Sequence, residues 1–177
     1  KKRTSKKSLV STFRTLKRWL LILSGAGLAL FGGFFLPGKV VKVHDGDTIT
    51  VMKSSGALEK IRLYGIDTPE SDQAWGLEAT AFTNKTVLLE NVEVQSMYTD
   101  PYGRTVAIIH LENKATLNEL LVRNGHAWVD GKYCKSARCV QWKASETLAR
   151  SKKAGLWANN RATPPWRWRA NQRRNNR

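Results

Sequence analysis

Acidic residues are missing from both ends of this 177-residue chain. Before Gly38 there are eight Lys or Arg and no Asp or Glu; after Trp157 there are six Arg and again no acid. The stretch between holds 16 basic and 14 acidic residues, so the formal net charge of +16 belongs to the arms and only +2 to the middle. The charge alone therefore does not mark the central fold as a nucleic-acid binder, although a high isoelectric point would suggest one. Cysteine is nearly absent, with only Cys134 and Cys139 present. With no second cysteine pair, and with His44, His110 and His126 scattered, a zinc site is excluded. Neither cysteine has a catalytic setting, and no internal repeat is visible.

The first arm has a direction. Lys1, Lys2, Arg3, Lys6, Lys7, Arg14, Lys17 and Arg18 precede an uncharged apolar run from Trp19 to Leu36. As a helix that run would span about 27 Å, close to the hydrocarbon thickness of a bilayer. Cations favour the cytoplasmic side, so residues 1–18 are expected inside and everything after Leu36 outside. An uncleaved transmembrane anchor over 19–36 is the leading expectation, because Ser24-Gly25-Ala26 lies early for a signal-peptidase site. A cleaved signal, with secretion of the remainder, and a buried core helix are the alternatives. In an exported protein Cys134 and Cys139 are free to form a local disulfide; otherwise they are two unpaired thiols.

Residues 38–157 read as one domain. Period-two alternation predicts strands over Lys39–His44, Thr48–Lys53, Leu58–Ile66, Val92–Tyr98 and Arg104–Leu111. Helices are predicted over Trp75–Leu89, Thr116–Asn124 and Ala137–Lys153, the last two followed by Gly125 and Gly155. The class is α+β, a small five-stranded barrel with about three helices. The tail, 158–177, lacks periodicity, but Trp166-Arg167-Trp168-Arg169 alternates aromatic and guanidinium groups. That pattern suits bases stacked on Trp with phosphates on Arg, or tryptophans packed back onto the domain.

Three segments concentrate chemistry: HDGDT at His44–Thr48, RLYGIDTPE at Arg62–Glu70 and DPYGRTVAIIH at Asp100–His110. A hard divalent cation needs carboxylate oxygens, and a phosphate gaining charge needs planar guanidinium donors. An attacking water needs a carboxylate to orient it or accept its proton. Asp45, Asp47, Asp67, Glu70, Arg62 and Arg104 meet all three needs.

An Asp-Gly-Asp turn alone is commonplace. In order with LNELLVRNGHAWV at Leu117–Val129 and ARSKKAGLW at Ala149–Trp157, however, these segments resemble the staphylococcal nuclease family. The resemblance covers residues 38–157 and implies an OB-fold barrel with three helices. It also implies calcium held by Asp47, Asp67 and the Thr68 backbone carbonyl, with Asp45 orienting metal-bound water. Glu70 would act on the attacking water, Arg62 and Arg104 on the scissile phosphate, and Tyr102 and Tyr133 would line the nucleotide pocket. Pro101 departs from the family pattern, which has a lysine there. Asp130-Gly131-Lys132-Tyr133 supplies one pocket tyrosine of two, and the Ser71–Gly76 loop carries Asp72 in place of a lysine cluster.

The expected protein is a calcium-dependent nuclease that cuts DNA and RNA with little sequence specificity, leaving 3′-phosphate and 5′-hydroxyl ends. It is expected to be a monomer without an obligate protein partner. Two other classes compete. A non-catalytic nucleic-acid-binding module on the same fold would be marked by loss of an Asp, the Glu or an Arg, and all are present. In a membrane-tethered DNA-processing protein, binding by the tail would matter as much as cutting.

Overall fold

The computed structural model describes residues 35–176. The residues expected to cross a membrane lie outside that range, except Phe35 and Leu36. Strands β1 (Phe35–Val43), β2 (Thr48–Lys53), β3 (Leu58–Leu63), β5 (Asn91–Thr99) and β6 (Thr105–His110) form a closed barrel in the order β1-β2-β3-β6-β5. All neighbours are antiparallel except β3 and β6, an arrangement consistent with an OB-fold. Two-residue strands β4 (Ile66–Asp67) and β7 (Trp128–Val129) pair outside the barrel. The helices are α1 (Gly76–Val87), α2 (Leu117–Arg123), α3 (Arg138–Ser151) and α4 (Pro165–Asn175), with a 3-10 turn at Gly155–Ala158.

Alternation in the strands sends Val40, Ile49, Val51, Ile61, Leu63, Val92, Val94, Val106 and Ile108 inward, where they join Leu117, Leu121 and Trp142 in one core. Helix α1 buries Ala79, Thr83 and Val87, one position per turn, and so presents a single face. Thr116 caps α2 by accepting a hydrogen bond from Glu119 N at 3.2 Å, in a Thr-x-x-Glu sequence suited to that role.

Three expectations are corrected. β1 begins at Phe35, so the end of the apolar run is barrel strand: Phe35 pairs with Gln95 and Leu36 with Val94. Pro37 does not stop this strand, because residues before Gly38 pair with β5 alone and a missing N–H is tolerated at such an edge. The predicted strand over Leu58–Ile66 breaks at Tyr64-Gly65 into β3 and β4. The tail, read as aperiodic, contains a fourth helix. Its run-up packs on a second apolar cluster of Trp128, Ala149, Leu156 and Trp157, against which Trp75 and Ala162 lie. Among the described residues no helix is long and apolar enough to cross a membrane.

Helix α3 is tied to β7 by a buried carboxylate. Glu146 is 1% exposed and accepts from Lys143 Nζ at 2.8 Å, Arg150 Nε at 2.9 Å and Val129 N at 3.3 Å. Glu146→Ala is expected to cost about 1–3 kcal/mol, because a buried amide loses its acceptor. The check is the urea midpoint at unchanged m-value, and a shift below about 0.5 kcal/mol would mean that water satisfies Val129 N.

Candidate active site

The loop between β1 and β2 and the end of β3 meet because Thr48 pairs with Arg62 and Leu63 N donates to Asp47 O at 2.8 Å. Within the loop Asp47 N donates to Asp45 Oδ1 at 3.0 Å. Asp47, 1% exposed, is also clamped by Thr68, whose N and Oγ1 donate to its Oδ2 at 2.7 and 2.9 Å. This contact requires glycine at position 46, where a Cβ would lie 2.7 Å from Thr68 Oγ1. Thr83 on α1 donates to the Gly46 carbonyl at 2.6 Å and fixes the loop from behind.

Asp67 arrives on β4, opposite Trp128 of β7, and is also 1% exposed. Arg62 joins the two buried aspartates: Nη1 donates to Asp47 Oδ1, and Nη2 to Asp67 Oδ1 at 2.5 Å. Burial acts to lower the Arg62 pKa, but the charges of Asp47 and Asp67 outweigh it and the net shift is upward. Burial raises the Asp47 pKa, Arg62 opposes the rise and Asp45 adds to it, so the balance is upward. The guanidinium thus offsets only part of the cost of keeping Asp47 ionised.

Glu70 follows Pro69, which removes a backbone rotation just before it. Its turn is closed by Gln73, whose N donates to Glu70 O at 2.9 Å and whose Oε1 accepts from Glu70 N at 3.2 Å. Gly76 makes room for that turn, since a Cβ there would fall 1.8 Å from Glu70 O. Gln73 Nε2 also donates to Thr163 O at 2.5 Å, linking the Glu70 turn to the chain just before α4.

Arg104 is paired with an acid outside this cluster. It precedes β6, which runs parallel to β3, and its Nε donates to Asp100 Oδ2 at 2.7 Å within the β5–β6 turn. Tyr102, 85% exposed, lies under the same guanidinium, whose carbon is 5.6 Å from the ring centroid. Tyr133 is exposed on the loop after β7, beside Lys132. Neither tyrosine hydrogen-bonds to the carboxylate cluster. Cys134 of that loop is joined by a disulfide to Cys139 in the first turn of α3, and lies next to Gly65.

Two residues of the site escape sequence reasoning. One is Gln73. The other is Arg169 on α4, whose Nη2 donates to Asp67 Oδ2 at 2.8 Å and whose Nη1 reaches Asp67 Oδ1 at 3.3 Å and Glu70 Oε1 at 2.5 Å. Its setting raises its pKa: burial alone would lower it, but Asp67 and Glu70 prevail. The Trp-Arg alternation marks the segment as unusual, yet nothing local singles out this arginine.

Among the described residues, no three His, Cys, Asp or Glu side chains are grouped to hold a metal by themselves. The donors nevertheless fit a hard cation. Asp47, Asp67 and the Thr68 carbonyl offer only oxygen, and Asp45, Asp47, Asp67 and Glu70 face two guanidinium groups, leaving negative charge uncompensated.

Comparison with known proteins identifies the family. A family model described as staphylococcal nuclease homologue matches residues 60–159, beginning after the Asp45–Asp47 loop and ending before α4. An uncharacterized endonuclease of Escherichia coli O157:H7 is 37% identical over 132 residues, 75% of this chain and 84% of its own length. A micrococcal nuclease of Shigella flexneri is 32% identical over 140 residues, 75% of this chain and 79% of its own. A staphylococcal-like nuclease of Arabidopsis thaliana is 38% identical over 117 residues, 66% of this chain and 35% of its own.

Proposed function

The chain belongs to the staphylococcal nuclease family, and on that premise we propose that it is a calcium-dependent phosphodiesterase hydrolysing DNA and RNA with little sequence specificity, leaving 3′-phosphate and 5′-hydroxyl ends. Nuclease relatives support nuclease activity and a nucleic-acid substrate in general. The observation that carries the hydrolytic reading is that Arg62 bridges two buried aspartates, one of which, Asp67, is joined to Glu70 by Arg169, so guanidinium donors and carboxylates gather in one oxygen-rich site; calcium and the kind of ends rest on the family resemblance.

Water attacks phosphorus in line, the bond to the 5′ oxygen breaks, and that oxygen takes a proton. Glu70, 38% exposed at its side chain, is open enough to meet the water and orient it or take its proton. Arg62 and Arg104 bind the phosphate and stabilise its growing charge; Arg104 does so after leaving Asp100. Asp47, Asp67 and the Thr68 carbonyl would hold calcium, with Asp45 acting through water, and the ion when bound would add Lewis-acid stabilisation of the phosphoryl oxygens. Residues directed at phosphate leave little means to read bases, which agrees with broad specificity. We further infer that the domain works outside the cytoplasm. The basic and then apolar N-terminal sequence and the Cys134–Cys139 disulfide support this.

The test is cleavage of single-stranded DNA and RNA by the full chain with calcium, magnesium or a chelator. Calcium should support cutting, the chelator should abolish it, and the new 5′ ends should accept a kinase label without phosphatase treatment. Tight binding without cutting under any divalent cation would instead assign the chain to the non-catalytic binding class.

A further inference from the structure

Arg169 reaches the active site because the tail is anchored at several points. Pro165 at the start of α4 is buried, Thr163 O accepts from Gln73, and Trp168 borders a cavity of about 140 Å³ with Trp75, Trp128 and Leu156. Pro165, Trp168 and Arg169 are three and four residues apart, so they share one face of the helix. Trp166 and Arg167 point to solvent. The apolar part of the shared face packs against the domain, and the next group along it is the Arg169 guanidinium, laid as a fork on Asp67 with one arm on Glu70.

We propose that Arg169 is a positioning residue of the active site, the cation that joins Glu70 to Asp67 while Arg62 holds Asp67 Oδ1 from the other side. It sets the spacing of the two carboxylates, and a divalent ion must compete with its fork for Asp67. A planar guanidinium suits this role because it spans both oxygens of one carboxylate while reaching a second. Asp67 is the point of competition: it is almost fully buried and its Oδ2 is taken by Arg169. Glu70 is only half-buried and can release the same arginine without being stranded. A phosphate entering the site offers the freed fork an equivalent acceptor, so ion and nucleic acid load more readily together than apart.

The proposal rests on the divalent-ion part of the functional reading, and its test needs no catalysis. Calcium is titrated calorimetrically into the full chain without nucleic acid, with thermal melting as the check on folding. Arg169→Gln is expected to bind calcium about tenfold more tightly than the parent chain, in the range usual for coupling between neighbouring ligands. Arg169→Lys, which keeps the charge but not the fork, should fall between the two. Arg173→Gln, an exposed change on the same helix, should leave the affinity unchanged. Equal or weaker calcium binding by folded Arg169→Gln would overturn the proposal while leaving the calcium site standing, as would an equal gain from Arg173→Gln. Should Arg169→Gln not fold, Arg169→Lys decides by the same criterion, a gain over the parent or none. If neither the parent nor the variants bind calcium, both the proposal and the calcium reading fall.

Discussion

Arg62→Gln is expected to lower the cleavage rate by roughly 10²–10³-fold and to destabilise the domain in calcium-free buffer by about 3–5 kcal/mol. The two losses have separate causes. Rate falls because the amide cannot stabilise the charge that develops on the phosphoryl oxygens. Stability falls because Asp47 and Asp67, each 1% exposed, lose the guanidinium that bridges them. Calcium should restore much of the stability and little of the rate, since a divalent ion replaces the missing charge between the aspartates but not the phosphate-binding fork. Arg62→Lys separates the effects further: one ammonium retains charge and so recovers part of the stability, yet it cannot span two oxygens. Denaturant unfolding with and without calcium, beside single-turnover cleavage, checks the pair. A folded Arg62→Gln enzyme within tenfold of the parent rate would remove Arg62 from the chemistry.

Glu70→Gln should give the opposite balance. The substitution is isosteric, the side chain is 38% exposed, and its turn is closed by backbone and Gln73 contacts that an amide leaves intact. Stability should therefore change by less than about 1 kcal/mol, the size of a partly exposed ion pair with Arg169. Cleavage should fall by about 10²–10⁴-fold, the contribution usual for a positioned proton acceptor. Affinity for single-stranded DNA should stay within a few-fold of the parent. Cleavage retained within threefold would show that another group handles the proton of the attacking water.

The contrast between these variants follows from where the residues sit. Arg62 lies near the end of a barrel strand, partly buried with both arms of its fork on buried aspartates, so chemistry and folding share it. Glu70 lies on a turn at the rim, held by its backbone, and its partly exposed carboxylate is paired with Arg169 alone.

Short-range chemistry made most of the site legible in the sequence. Asp45 and Asp47 share one turn, Asp67, Thr68 and Glu70 another, and each group acts over a few residues, so spacing carries the information. Alternation identified the barrel strands for the same reason, because a half-buried strand repeats every two residues. It failed at Tyr64-Gly65, where Gly65 adopts φ +71° and turns the chain within an unbroken apolar run. The Trp19–Leu36 run was equally ambiguous at its end, since Phe35 and Leu36 suit a lipid-facing helix as well as a strand.

The chain order of carboxylates and arginines, the strand pattern and the sparse cysteines thus determined the fold class and the kind of chemistry. Only the tertiary structure decided that Arg62 is already bound by two aspartates, that Gln73 joins the Glu70 turn to the tail, and that Arg169 enters the site. The Arg169 contacts with Glu70 and Asp67 cross 99 and 102 residues. No local propensity or periodicity encodes a pairing of that range; it arises when Pro165 is buried and Trp168 is set beside Trp75, Trp128 and Leu156, which leaves the next side chain facing the acids.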